Sequence, residues 1–255
     1  MSLTVFLVRH GARFDFANKE QWRATCARLG HEVSDPSLSA LGHAQARDTA
    51  AALASEGVQH ILVSPYLRVI QTAQPLAHAC SLPLCVEEGL AELAYSPGAV
   101  PSGAQRVAYF PEVDDAYMPI HPAVQPGPDG IEDNLCYLRR MLRLAIELPR
   151  RFPCGIVACF SHAASVALIA ALTRSESLDA VGTFAPCGIW KVVTDDEGAT
   201  WRVEQRGEDN SRHVTENAPS TFPWGFRHSE TTTAAKTTPA EWEALWREAV
   251  RLGPT

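Results

Sequence analysis

The chain has 255 residues, of which 46% are hydrophobic and 20% are charged, and its formal net charge is −7. This length allows one large domain or two small ones, and this composition excludes a disordered, collagen-like or coiled-coil protein. The negative charge, with no block of Lys or Arg to offset it, argues against nucleic acid or an anionic membrane as a partner. The odd count of 7 cysteines, with no Cys-x-x-Cys pair, favours reduced thiols and a cytoplasmic location.

The first half of the chain reads as strands that alternate with helices. Residues 4–8 form an apolar, β-branched run that is typical of a strand covered on both faces. Ser39 is the predicted N-cap of a helix that continues to about residue 57. A second strand is predicted over 60–63, and Pro65 is expected in the first turn of the helix that follows.

The same alternation continues through the second half. The further predicted strands are 84–86, 155–160, 189–193 and 201–203. The further predicted helices are 132–151, 163–172 and 241–251. Strands that alternate with helices predict an α/β fold in which a mostly parallel sheet carries helices on both faces.

Two stretches do not fit this alternation. Residues 95–130 contain seven prolines, and residues 209–238 are rich in Ser, Thr and Asn. Long irregular insertions in compact domains are commonly lids or binding loops. We therefore predict a single domain over 1–255, with an irregular insertion at about 95–130 near the active site and a polar C-terminal extension from about 209. The face formed by Trp242 and Trp246 is expected to dock on this domain, and a homodimer contact is the alternative.

Charged residues follow three of the predicted strands. Arg9, His10 and Arg13 come after the first strand, Arg68 comes shortly after the second, and His162 comes after the strand over 155–160. In a sheet of this class, ligands bind beyond the carboxyl ends of the parallel strands. If these three strands are parallel, three arginines and two histidines converge on one site.

This combination of side chains suits phosphoryl transfer. Guanidinium groups bind phosphate oxygens bidentately and keep their charge. A neutral imidazole is a nucleophile towards phosphorus, and the neighbouring cations disfavour protonation of His10. His162 could donate a hydrogen bond to a non-bridging oxygen. Fixed cations would then stabilise the transition state with no metal and no cofactor.

The leaving oxygen needs a proton from a carboxyl group near the mouth of the site. Glu87, Glu88 and Glu92 cluster just after the predicted third strand. Their spacing in the sequence does not choose among them.

Four segments, in chain order, resemble the motifs of one known family. They are Leu7-Val8-Arg9-His10-Gly11, 38–46, 64–73 and 160–162. Over roughly residues 4–195 the chain resembles the histidine phosphatase superfamily (branch 1), which has a phosphoglycerate mutase-like fold. The resemblance implies a three-layer αβα sandwich with a mostly parallel, mixed central sheet. It also implies that His10 becomes phosphorylated.

A narrower resemblance concerns the start of the chain. Residues 9–15, with Trp22 and Cys26, are similar to the phosphatase domain of the suppressor-of-T-cell-receptor-signalling (TULA) proteins and to ecdysteroid-phosphate phosphatases. Alignment with that group implies that Glu92 is the catalytic acid among the three glutamates. It also implies that Arg13 is a further phosphate ligand.

The predicted function is metal-independent hydrolysis of phosphate monoesters, such as phosphotyrosine or other aryl or alkyl phosphates, through a phosphohistidine. The predicted catalytic residues are His10, Glu92 and His162, and the predicted phosphate ligands are Arg9, Arg13, Arg68 and His162. One alternative is a phosphoglycerate mutase or a sugar-phosphate phosphatase, although residues 13–16 replace the Glu-Ser-x-Trp-Asn of mutases. The alternative from another class is a catalytically silent adaptor that binds phosphoproteins.

Overall fold

The computed structural model describes residues 2–93, 101–121, 124, 127, 132–217, 226 and 237–254. The first elements are β1 (Leu3–Arg9), α1 (Phe14–Ala17), α2 (Lys19–Leu29), α3 (Ala40–Ala54), β2 (His60–Val63), α4 (Leu67–Cys80), β3 (Leu84–Val86) and a 3₁₀ turn (Glu88–Leu90). They are followed by α5 (Gly103–Val107), α6 (Asn134–Arg151), β4 (Gly155–Ser161), α7 (Val166–Leu172), β5 (Ile189–Thr194), β6 (Arg202–Gln205) and α8 (Pro239–Leu252).

The six strands form one mixed sheet in the order β3-β2-β4-β1-β5-β6. The first four in that order run parallel to one another, and β5 and β6 are antiparallel to their neighbours. The register pairs Arg9 with Ser161 and Val63 with Phe160, so β1, β4 and β2 end at the same level. This register brings the residues that follow the three strands to one edge of the sheet.

Alternate residues of β1 face two separate cores, because successive side chains of a strand point to opposite faces. Phe6 and Val8 belong to a core that contains apolar residues of α3 and α4. Val5 and Leu7 belong to a second core that contains apolar residues of α6, α7 and α8. The fold is therefore the predicted three-layer αβα sandwich.

The aromatic face of α8 lies within the second core. Trp242 and Trp246 are almost completely buried, and the indole Nε1 of Trp246 donates to the backbone oxygen of Ser175 over 2.9 Å. This face therefore docks on the chain's own body, as expected, and is not available for the homodimer contact that was the alternative. Among the described residues, no helix combines the length and the apolar character that crossing a bilayer requires.

Some elements differ from those predicted. Helix α2 was not predicted, because Trp22 and Cys26 are its only buried residues and two apolar positions give a weak periodic signal. Helix α4 begins at Leu67, so Pro65 precedes the helix instead of lying in its first turn. The short helices α1 and α5 were not predicted either. The single domain remains a prediction, and parts of the predicted insertion at about 95–130 and of the extension from about 209 lie outside the described residues.

Candidate active site

The predicted convergence of side chains is present at the carboxyl edge of the sheet. The ring centroids of His10 and His162 are 5.4 Å apart, and the rings are inclined at 66°. Nη2 of Arg68, from the first turn of α4, lies 3.1 Å from Nδ1 of His162. Residues that are more than 90 positions apart in the chain thus share one buried site.

The backbone of the loop after β1 is held from both sides. The His10 N–H donates to the Ser161 oxygen over 2.9 Å, and the Gly11 N–H donates to Oγ1 of Thr72 over 3.1 Å. A Cβ atom on Gly11 would lie 2.7 Å from the backbone oxygen of Gly42, at the start of α3. The close approach of two backbones explains why glycine follows the histidine.

The hydrogen bonds of His10 leave its outer nitrogen free to attack. Nδ1 lies 2.8 Å from the backbone oxygen of Gly11. A carbonyl oxygen only accepts, so the neutral ring carries its proton on Nδ1 and a lone pair on Nε2. Burial, and then the charges of Arg68 and Arg9, hold the pKa of His10 well below its usual value. His10 therefore has a neutral ring at physiological pH, the state that a nucleophilic imidazole requires.

His162 is also held as a neutral ring, but with the opposite tautomer. Arg68 donates to its Nδ1, and its Nε2 lies 2.7 Å from Oγ of Ser64. The proton therefore resides on Nε2, and burial together with Arg68 lowers the pKa of His162 well below its usual value. Donation from Nδ1 to a phosphate oxygen would require a second proton, which the negative charge of a bound phosphate would favour.

Two buried guanidinium groups have hydrogen-bond donors that no described residue satisfies. Arg9 donates from Nη1 to the Phe184 oxygen over 2.5 Å, but its Nε has no partner. In Arg68, Nε and Nη1 have none, and the side chain is only 3% exposed. Burial lowers the pKa of Arg9 to about 10. Because buried, unsatisfied donors cost free energy, this arrangement favours binding of an anion.

Arg13 lies beside this site, but within the described residues it differs from Arg9 and Arg68 in being hydrogen-bonded to a carboxylate. Its guanidinium forms a bidentate pair with Asp15, with distances of 2.9 and 2.7 Å, and stacks 4.1 Å from the Phe16 ring. Its charge contributes to the lowered pKa of His10, but less than those of Arg68 and Arg9. To bind phosphate, Arg13 would have to use its remaining donors or release Asp15.

This difference predicts unequal contributions to anion binding. Arg68→Met should raise the Kd for orthovanadate about 10- to 100-fold, because a hydrogen bond to a charged group contributes about 1.5–3 kcal/mol. Arg13→Met should raise it less, since Asp15 already neutralises Arg13. Isothermal titration with orthovanadate measures both constants. A larger effect at Arg13 than at Arg68 would contradict this assignment.

The structure separates the three candidate acids. Oε2 of Glu92 lies 3.4 Å from Nδ1 of His162 and 4.0 Å from Nη2 of Arg68. Burial raises the pKa of Glu92, and Arg68 opposes that shift. The carboxyl group therefore lies within the site and retains its proton at higher pH than a solvated glutamate does.

The other two glutamates face the insertion. Glu87 accepts hydrogen bonds from the backbone N–H groups of Ile120 and His121 and from the hydroxyl of Tyr117. Glu88 accepts one from the backbone N–H of Gly103. Both carboxylates thus fasten residues 101–121 to the body of the protein.

Side chains of the site could also ligate a metal. Donor atoms of His10, Glu92 and His162 all lie within 4.8 Å of one another, and two histidines with one carboxylate form a known type of zinc site. Arg9 and Arg68 oppose a dication there, because their charge already disfavours protonation of His10. The surrounding charge suits an anion better.

The contacts of Asp35 near the site could not be predicted from the sequence. Asp35 accepts a hydrogen bond from the backbone N–H of Leu67 over 2.9 Å and pairs with Arg106. Arg106 also donates from Nε to the Pro65 oxygen over 2.6 Å. Asp35 therefore fastens the insertion to the start of α4, next to Arg68. The ion pair joins residues 71 positions apart, so no local pattern indicates it.

Comparison with known proteins gives a family match over most of the chain. The family described as the histidine phosphatase superfamily (branch 1) matches residues 5–207. Probable phosphoglycerate mutase GpmB of Yersinia enterocolitica is 38% identical over 91 residues, which are 36% of this chain and 38% of that relative. Probable phosphoglycerate mutase GpmB of Proteus mirabilis is 36% identical over 91 residues, again 36% of this chain and 38% of that relative. The chain thus spans well under half of the length of the curated relatives it matches.

Solved structures share the fold. The ecdysone phosphate phosphatase of the silkworm Bombyx mori, in complex with tungstate, has a TM-score of 0.60 and 21% identity, covering 84% of this chain and 96% of its own. A mycobacterial glucosyl-3-phosphoglycerate phosphatase has a TM-score of 0.54 and 20% identity, covering 81% and 99%. At this identity the likeness concerns the fold.

Proposed function

This chain belongs to the histidine phosphatase superfamily (branch 1), and from that membership we propose that it hydrolyses phosphate monoesters through a phosphohistidine on His10. One observation supports this most directly. An imidazole with a free lone pair on Nε2 lies among buried guanidinium groups that have unsatisfied donors. A nucleophile next to fixed cations is what a phosphoryl group requires.

In the first half-reaction, Nε2 of His10 attacks phosphorus in line with the leaving oxygen. The N–P bond forms as the P–O bond breaks, and Glu92 transfers its proton to the departing alcohol or phenol. The equatorial oxygens, which carry the developing charge, face Arg9, Arg13, Arg68 and His162.

In the second half-reaction, Glu92 acts as the base. Its carboxylate takes a proton from water, the water oxygen attacks phosphorus, and the N–P bond breaks. Inorganic phosphate leaves and His10 returns to its neutral state, while Glu92 is again protonated for the next turnover. The raised pKa of Glu92 supports this alternation between acid and base.

The proposed substrate is a phosphate monoester, either phosphotyrosine or another aryl or alkyl phosphate, on a small molecule or on a phosphoprotein. Nucleic acid is not proposed as a partner, given the net charge of −7. A cytoplasmic location is proposed from the seven cysteines, all of which are free thiols.

A second candidate function is phosphoglycerate mutase, because the GpmB relatives carry that name. A mutase returns the phosphoryl group to the substrate instead of transferring it to water. Incubation with 3-phosphoglycerate distinguishes the two activities: a phosphatase releases inorganic phosphate, whereas a mutase produces 2-phosphoglycerate.

We expect the purified chain to hydrolyse p-nitrophenyl phosphate and several alkyl phosphates, and to keep that activity after treatment with EDTA. Fixed guanidinium groups supply the positive charge that a metal would otherwise supply. Phosphate release is measured across a panel of phosphomonoesters before and after dialysis against the chelator. A strict requirement for a divalent cation would contradict the mechanism, and isomerisation faster than hydrolysis would favour the mutase.

A further inference from the structure

The turn that leads into Glu92 is held by a buried arginine that the mechanism above does not use. Nη1 of Arg140, from α6, donates to the backbone oxygen of Gly89 over 2.6 Å and to that of Ala91 over 2.9 Å. These oxygens flank the end of the 3₁₀ turn, and Ala91 immediately precedes Glu92. One guanidinium nitrogen thus fixes two peptide groups next to the proposed acid.

The carbonyl between these two is also held. Oγ of Ser161 donates to the Leu90 oxygen over 2.7 Å. Ser161 is the last residue of β4, and His162 follows it. Three successive carbonyl groups are therefore fixed by side chains from two other elements, one of which also delivers His162 to the site.

Each guanidinium nitrogen of Arg140 donates a hydrogen bond. Nε and Nη2 donate to the two carboxylate oxygens of Glu132 over 3.0 and 2.7 Å, and the residue is 1% exposed. An arginine–glutamate pair buried in this way is weak evidence for a gain in stability, because apolar residues of similar volume often serve as well. Its geometry instead favours a role in orientation.

The Glu92 carboxyl has few anchors of its own. Its Oε1 accepts from the adjacent Leu93 N–H over 3.2 Å, and its Oε2 lies 3.4 Å from Nδ1 of His162 and 4.0 Å from Nη2 of Arg68. The position of the carboxyl relative to the leaving group therefore depends on the backbone that carries it.

We propose that Arg140 is a positioning residue for general acid catalysis, acting on Glu92 through the carbonyl groups of Gly89 and Ala91. This inference rests on the proposed function, because it takes Glu92 as the proton donor. Displacement of an acid by about 1 Å can cost about 100-fold in rate. In kcat/KM, which reports the steps up to departure of the leaving group, that cost should appear only where the leaving group needs a proton.

The test uses Arg140→Met together with Glu132→Gln, so that no buried carboxylate is left unpaired. We expect kcat/KM to fall about 100-fold for an alkyl phosphate and about threefold or less for p-nitrophenyl phosphate, whose leaving group departs without a proton. In a Glu92→Gln background the double change should cause little further loss on the alkyl ester, because the proton transfer that it impairs is already absent.

Two further variants keep the test decisive. Arg139→Met, one position away on α6, removes a side chain that donates to the Gly253 oxygen, and both substrates should keep their rates. Arg140→Lys keeps a charge beside Glu132 but loses the guanidinium fork, and it should give an intermediate loss on the alkyl ester alone. It supplies the answer if the double variant does not fold.

Equal losses on both esters, or losses that multiply with Glu92→Gln, would overturn the inference. Failure of the proposed function gives a different result: either the wild-type chain hydrolyses neither ester, or His10→Ala retains activity. The assignment of Arg140 can thus fail while the phosphohistidine mechanism stands.

Discussion

Replacing His10 by alanine is expected to lower kcat for p-nitrophenyl phosphate by about 10⁴-fold or more, because the variant has no group that can form the covalent intermediate. The remaining guanidinium groups still bind the phosphoryl group, so the loss should appear in kcat far more than in KM. Steady-state kinetics on the wild-type chain and on His10→Ala measures kcat and KM separately.

The intermediate can be observed directly. After brief incubation with ³²P-labelled substrate, the wild-type chain should carry phosphate that is stable in alkali and released by acid, the pattern of a phosphohistidine. His10→Ala should carry none. The matched control is His31→Ala, since His31 is exposed at the end of α2, and it should keep both label and activity.

A folding defect must be separated from a chemical one. Arg9 and Arg68 are intact in His10→Ala, so inorganic phosphate should still raise the Tm of the variant. Substantial turnover in His10→Ala, in a preparation free of other phosphatases, would reject the nucleophile. Label in the wild type would also exclude the catalytically silent adaptor.

The sequence predicts the fold and the location of the site well, for a physical reason. The buried strands are continuous apolar runs, and alternation with helices predicts that they run parallel, as β2, β4 and β1 do. Their order in the sheet is seen only in the structure. Once these strands are adjacent, His10 and His162 must emerge at one edge. Local patterns therefore suffice for the two histidines.

The choice of acid is a different problem. Glu87, Glu88 and Glu92 lie within six residues, and only the path of the 3₁₀ turn decides which carboxyl faces Arg68. Arg140 and Ser161, about 50 and 70 positions further along the chain, hold the carbonyl groups of that turn. Residue spacing contains no information about such a contact, and only the family resemblance indicates Glu92.

The state of Arg13 could not be predicted either. The sequence shows Arg13 and Asp15 two positions apart, but a loop allows them either to pair or to diverge. The structure pairs them, and Asp15 would therefore compete with a bound phosphate for this guanidinium.

Replacing Glu92 by glutamine is expected to lower kcat/KM for an alkyl phosphate by about 10²- to 10⁴-fold, the usual contribution of general acid catalysis. For p-nitrophenyl phosphate the loss should be much smaller, because nitrophenolate leaves without a proton. The matched control is Glu88→Gln, which changes a buried glutamate of the same turn that binds the Gly103 N–H and should affect the two esters equally and weakly.

The pH dependence of kcat/KM gives the second signature of Glu92. Because burial raises its pKa above the usual 4.5, the carboxyl keeps its proton to higher pH, and the rate with an alkyl ester should fall only as pH rises through that raised pKa. Glu92→Gln should abolish this descending limb. The pKa of His10 lies well below 6.5. The ascending limb, in which His10 loses its proton, should therefore lie at lower pH than for an ordinary histidine. Equal losses on both esters, or a descending limb that survives in Glu92→Gln, would assign the acid to another group.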